Sequence, residues 1–311
     1  ARASGDPRVK DLDALMSHAK ASGYDGVELS VDDLKYQLYP ETFSNKSDLE
    51  IAKILRETAK SHGVAVLGAL YIVADGAPPR RVFDLDYNDD GFAEKLAEKL
   101  SADRAAGSEY CTFQLCLPPE FLNTCGSYRG NVQYYAKSAK RMQLVRSLCK
   151  EAGMNCYFET HIDRLSEDPI AFDGILKVCD EIGPKVEVNA DLSHYLYRGL
   201  DRRTPEMRHI LSRVGHMHQR MARVHGDLSV QVEDPEKDWA EKGVTWNAFE
   251  YSVEALKGGL SSRAVCGESG PIHACTDPLT NDAKMVPLLK KMAQVADGKE
   301  TWPLSSNPFT V

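Results

Sequence analysis

The chain has 311 residues, 42% of them hydrophobic and 27% charged, with a formal charge of -8; this is the balance of an ordinary globular protein, not of a disordered or fibrous one. The acidic balance opposes a broad basic surface for a phosphate backbone, and no apolar run approaches the roughly 18 to 20 residues of a membrane helix, so neither nucleic acid nor membrane is an expected partner. The opening ARASGDPRVK carries no signal-peptide core, which makes a cytoplasmic location the expectation.

Asp6 and Pro7 stand as N-cap and first position of a helix in which Val9, Leu12, Leu15, Met16 and Ala19 recur at helical spacing until Gly23. GVEL (26–29) follows as a short buried strand. Further strands are expected at VAVLGALYIV (64–73), YCTFQL (110–115), NCYFET (155–160), VEVNADL (186–192), GHMHQR (215–220) and RAVCGES (263–269). Between them DLEIAKILRETAKSHG (48–63), VQYYAKSAKRMQLVRSLCKEAG (132–153) and DPIAFDGILKVCDEIG (168–183) read as helices, each ending at a glycine and long enough to cross back over a sheet.

Strands recur near the roughly 31 residues per unit expected when about 250 residues make eight βα units, so residues 1–311 are expected to form one (β/α)8 TIM-barrel domain. A doubly wound open sheet is the alternative, but no GxGxxG turn follows any strand. A barrel that begins with a helix lacks its first strand. An upstream segment, the tail WPLSSNPFTV, or another chain in a homo-oligomer or heteromer would supply it. Segments 74–91 and 221–245 follow strands and are candidate lids over the C-terminal rim. The eight cysteines show no close CxxC pair, and Cys111, Cys116, Cys156 and Cys266, inside apolar runs, are expected to be reduced and buried, not to form a zinc cluster.

Four consecutive strands end in groups that apolar packing does not explain: Glu159 with His161, Asp191 with His194, His216 with His218, and Glu268. A barrel brings such positions to one rim. Glu159, Asp191, His218 and Glu268 would supply three carboxylates and one imidazole, a hard donor set for a divalent ion with open positions. Manganese suits it best, with magnesium, cobalt or zinc as alternatives. His216, farther from the rim than His218, is expected to be a supporting or core histidine. His194 lies beyond its strand end, where it could contact a substrate oxygen. Arg220, on the face of His218, could hold a hydroxyl or developing oxyanion, and His161 shares the face of Glu159.

The combination of FETH (158–161), NADLSH (189–194), GHMHQR (215–220) and GESGP (267–271), with GYDGVEL (23–29) near the start, resembles the xylose-isomerase-like TIM-barrel superfamily, more closely its sugar phosphate isomerase/epimerase branch. The resemblance implies one divalent ion on Glu159, Asp191, His218 and Glu268, with His194 and Arg220 lining a substrate pocket. Where relatives often carry a basic residue after the histidine of the first motif, Ile162 stands here and Arg164 comes two later. The implied activity is isomerisation or epimerisation of a sugar or related polyhydroxy ketone through a cis-enediolate, with Glu159 and Glu268 as the acid/base pair. A dehydratase or other lyase acting on a keto-sugar or keto-inositol, and a noncatalytic barrel subunit completed by a partner, are the alternatives.

Overall fold

Asp6 does cap a helical turn, its carboxylate accepting from the Arg8 amide at 2.9 Å, but the turn is a 3-10 segment that stops at Val9. Asp11, extended at φ -149°, then restarts the chain and accepts from the Ala14 amide at 2.8 Å. Helix α1 is therefore Leu12–Ala21, and the single helix expected from Pro7 is broken by the second cap. In the computed structural model of the protein, the described residues are 6–76, 85–121, 128–196, 203–219, 223–224, 230–231, 235–242, 244–267, 278–304 and 306–309. They fall into two compact units, one from Ser4 to Glu187 and the other holding Val188–Val311.

In the first unit β1 (Gly26–Glu28) leads into a π-helical turn over Asp33–Leu38 and a short α2 (Pro40–Phe43). Helix α3 (Asp48–Ser61) begins at a capping box: the Ser47 amide donates to Glu50 Oε2 at 2.8 Å, and the Glu50 amide donates back to Ser47 Oγ at 3.4 Å. The face of α3 that carries Ile51, Ala52, Leu55 and Ala59 is buried with Leu12, Met16 and Ala19 of α1 and with Val64 and Val66. Burying a leucine such as Leu55 in this way stabilises by about 2 kcal/mol.

Strand β2 (Ala65–Ala74) pairs in parallel with β1, and its end pairs with the short β3 (Leu85–Asp86). After α4 (Phe92–Ala106), β4 (Tyr110–Leu115) pairs with β2 from Gly68↔Tyr110 to Val73↔Leu115. Helix α5 (Val132–Glu151) then precedes β5 (Asn155–Glu159), parallel to β4. Helix α6 (Pro169–Ile182) closes the unit, capped by the Asp168 carboxylate on the Ile170 amide at 3.0 Å. Gly68 has a specific steric reason: a Cβ there would lie 2.2 Å from the Tyr110 ring. That ring in turn meets Tyr157 edge-on at 5.6 Å, so the glycine lets an aromatic layer cross the sheet.

In the second unit β6 (Glu187–Asp191) is followed by the short α7 (Ser193–Leu196), α8 (Pro205–Leu211) and β7 (Val214–Gln219). β6 and β7 are parallel, and a register shift between Val188 and Asn189 sets Asn189 opposite His216 and Asp191 opposite His218. A short antiparallel pair, β8 (Arg223–Val224) and β9 (Val230–Gln231), lies within the 221–245 segment, followed by α9 (Pro235–Ala240). Helix α10 (Val244–Lys257) precedes β10 (Val265–Gly267), which pairs in parallel with β7, Cys266 opposite His218; α11 (Pro278–Ala296) follows.

Among the described residues no strand precedes β1. The described residues of the tail form no strand either and so are not the replacement strand; Trp302 and Phe309 instead meet Trp239 at ring distances of 6.4 and 6.1 Å. Among the described residues no helix is long and apolar enough to cross a membrane. Cys111 and Cys156 are buried and outside any disulfide as expected, whereas Cys116 and Cys266, also outside any disulfide, are only half-buried.

Candidate metal centre and active site

A parallel strand followed by a loop and helix presents its last side chains at the C-terminal edge of the sheet, which is where Glu159 and Asp191 stand on β5 and β6. Glu159 is buried at the end of β5. Its Oε2 accepts from Gln114 Nε2 of β4 at 2.8 Å, and Gln114 Oε1 accepts from Arg164 Nε at 3.2 Å. Arg164 is itself buried and donates from Nη1 to the Asp163 carbonyl at 2.9 Å. Arg164 thus anchors the amide that orients Glu159.

His161 lies just past the strand. Its Nδ1 donates to the Ile162 carbonyl, which can only accept, so Nε2 is the nitrogen left with a lone pair. Ser166 ties the turn together: its hydroxyl donates to the Glu159 carbonyl at 2.6 Å and accepts from the His161 amide at 3.0 Å.

In the second unit Asp191 is fully buried at the end of β6. Its Oδ1 accepts from the Ser193 hydroxyl and from the Ser193 amide, the latter at 3.2 Å. Oδ2 lies 3.2 Å from Nε2 of His194, which is also buried. The Asp191 carboxylate, fixed by a serine on one oxygen and in contact with the His194 ring on the other, is a hard oxygen donor of the type that suits a divalent cation.

His218 stands opposite Asp191 in the β6–β7 ladder, buried, and shares its strand face with His216. The two rings meet edge-on with centroids 5.1 Å apart. Of the residues expected from sequence, Asp191, His194 and His218 therefore stand in the second unit, and Glu159 and His161 in the first. Glu268 and Arg220 lie outside the described residues. The supporting groups Gln114, Ser166 and Ser193 were not legible as site residues, because each acts through a contact that strand pairing or a turn creates and no spacing motif announces.

The family model described as xylose isomerase-like TIM barrel matches residues 16–256. The chain belongs to this family. Its fold is accordingly that of a TIM barrel, seen here in the parallel strands β1, β2, β4, β5, β6, β7 and β10, with a helix or helices between each and the next. A sugar phosphate isomerase/epimerase from Parabacteroides distasonis has a similar structure: TM-score 0.59 at 14% identity, covering 93% of this chain and 92% of that one. An L-ribulose 3-epimerase is similar at TM-score 0.60 and 13% identity, covering 96% of this chain and 94% of that one. A xylose isomerase-like TIM-barrel protein from Mycobacterium smegmatis, in complex with magnesium, is similar at TM-score 0.58 and 15% identity over 94% of this chain and 91% of that one. No curated protein matches the chain.

Proposed function

We propose that the chain is a divalent-metal-dependent isomerase or epimerase of a sugar or related polyhydroxy ketone. The observation that carries this reading is the buried Asp191 carboxylate, fixed by Ser193 on one oxygen and 3.2 Å from His194 on the other, at a strand end of a family in which strand ends form the active-site rim. Membership of that family and the similarity to epimerase structures support it. The proposed ligands are Glu159, Asp191, His218 and Glu268. Manganese suits this set, and the magnesium in the similar Mycobacterium smegmatis structure is chemically close.

A divalent ion bound there would polarise a carbonyl and its neighbouring hydroxyl, acidify the carbon-bound proton and stabilise the enediolate that follows. Glu159 and Glu268 act as base and acid on opposite faces of the substrate, one removing the proton and the other returning it to the same or the adjacent carbon. The Gln114 amide donates to Oε2 of Glu159 and so orients the carboxylate. His194 and Arg220 steady the oxygen that gains charge, and His161, with Nε2 as its lone-pair nitrogen, accepts from a substrate hydroxyl.

The test is exchange of the substrate's carbon-bound proton with solvent deuterium across a panel of ketoses. Glu159→Gln and Glu268→Gln are each expected to abolish exchange while metal binding largely survives. Full exchange in either variant removes that residue from the mechanism. A product that has lost water would identify a lyase instead.

A further inference from the structure

The rim residues leave a second group of donors on the same strands. His216 and His218 project from one face of β7, and Cys266 on β10 stands directly opposite His218. One donor atom from each of the three lies within 4.8 Å of the others. Tetrahedral coordination with metal–nitrogen bonds of about 2.0 Å and a metal–sulfur bond of about 2.3 Å places such donors about 3.5 Å apart, so modest side-chain rotation closes the triad on an ion.

His216 is already oriented for this. Its Nδ1 is 2.9 Å from Ser262 Oγ, whose own proton is directed at the Ala264 carbonyl at 3.2 Å. Ser262 therefore accepts from Nδ1–H, which makes Nε2 the lone-pair nitrogen, the arrangement by which metal-binding histidines are commonly buttressed. Across the ladder from His216 stands Asn189, fully buried, with neither atom of its amide hydrogen-bonded. Register partners in a parallel ladder project from one face, so Asn189 faces the same interior layer as His216 and could bond a water or hydroxide in the open fourth position of an ion there.

We propose that His216, His218 and Cys266 form an inner position for a borderline-soft divalent ion of the zinc or cobalt type, which competes for His218 with the harder ion of the rim. The competition rests on the reading of His218 as a rim ligand; the inner position does not. Two imidazoles and a thiolate favour such ions, whereas magnesium and manganese prefer the oxygen-rich set. On binding, the Cys266 thiol releases its proton to solvent as the sulfur–metal bond forms, with no change in oxidation state.

Titrating the metal-free full-length chain with cobalt(II) tests this. A thiolate-to-cobalt charge-transfer band in the near ultraviolet is expected in the wild type and in Asp191→Ala, and its loss in Cys266→Ser. Cobalt binding without the band, a band that survives Cys266→Ser, or no cobalt binding overturns the inner position. A measurement on the unmutated chain stands beside it: zinc is expected to slow alkylation of Cys266 by N-ethylmaleimide, read by peptide mass mapping, and an unchanged rate overturns the proposal. The rim reading fails separately, through absence of manganese binding with the cobalt band intact.

Discussion

Asp103 on α4 offers a quantitative test of how the first unit is assembled. Its carboxyl is fully buried, with Oδ1 accepting from the Val31 amide at 2.8 Å and Oδ2 accepting from the Tyr71 hydroxyl of β2. Burial pushes its pKa up from 3.8 to about 7, against the Tyr71 and Val31 hydrogen bonds that favour the ionised form. In the unfolded chain the same group titrates near its ordinary value. Between those two pH values the native state holds a proton that the unfolded state has released. The contribution is thus fully present below about pH 4 and is lost as pH rises through about 7. At about 1.4 kcal/mol per pH unit this amounts to about 4 kcal/mol over the whole window. Asp103→Asn keeps an acceptor for Val31 and cannot ionise. In urea unfolding from about pH 4.5 to about 7.5, wild-type stability is expected to fall relative to the variant by about 3 kcal/mol. A difference between the two proteins that stays flat with pH would refute the assignment of a neutral buried carboxyl.

Two further perturbations probe the packing and the site. Gly68→Ala places a Cβ 2.2 Å from the Tyr110 ring, which is pinned against Tyr157, so overpacking should cost about 1–3 kcal/mol in urea unfolding; an unchanged midpoint would mean that the aromatic layer yields freely. Gln114→Leu removes the donor to Glu159 and the acceptor for Arg164, and about a 10- to 100-fold loss of exchange rate is expected by deuterium exchange, with metal binding, read by titration, largely kept. A wild-type exchange rate would show that Glu159 needs no such orienter.

Much of this architecture was legible in the sequence because burial imposes its own period. YCTFQL reads as a strand and is one from Tyr110 to Leu115, buried throughout, and helices α3, α5 and α6 end within two residues of the glycines expected to stop them. The break between Pro7 and Leu12 was not legible, since two aspartates six residues or fewer from the same apolar stripe offer competing caps and only the backbone decides between them. At the site, Asp191, His194 and His218 stood out as polar residues ending apolar strands. Cys266 did not: in sequence it is a thiol in an apolar run, and only the ladder that sets it opposite His218 gives it a chemical neighbour. Nor did the sequence give Arg164 a role; it is buried, donating to Gln114 and to the Asp163 carbonyl.

The most direct test of a metal centre at the rim is bound-metal stoichiometry, by elemental analysis of the purified chain after exposure to manganese, with Asp191→Ala in parallel. About one ion per chain, lost when the buried carboxylate is removed, is the expected result. No ion in the wild type, or an ion retained unchanged in Asp191→Ala, would contradict it.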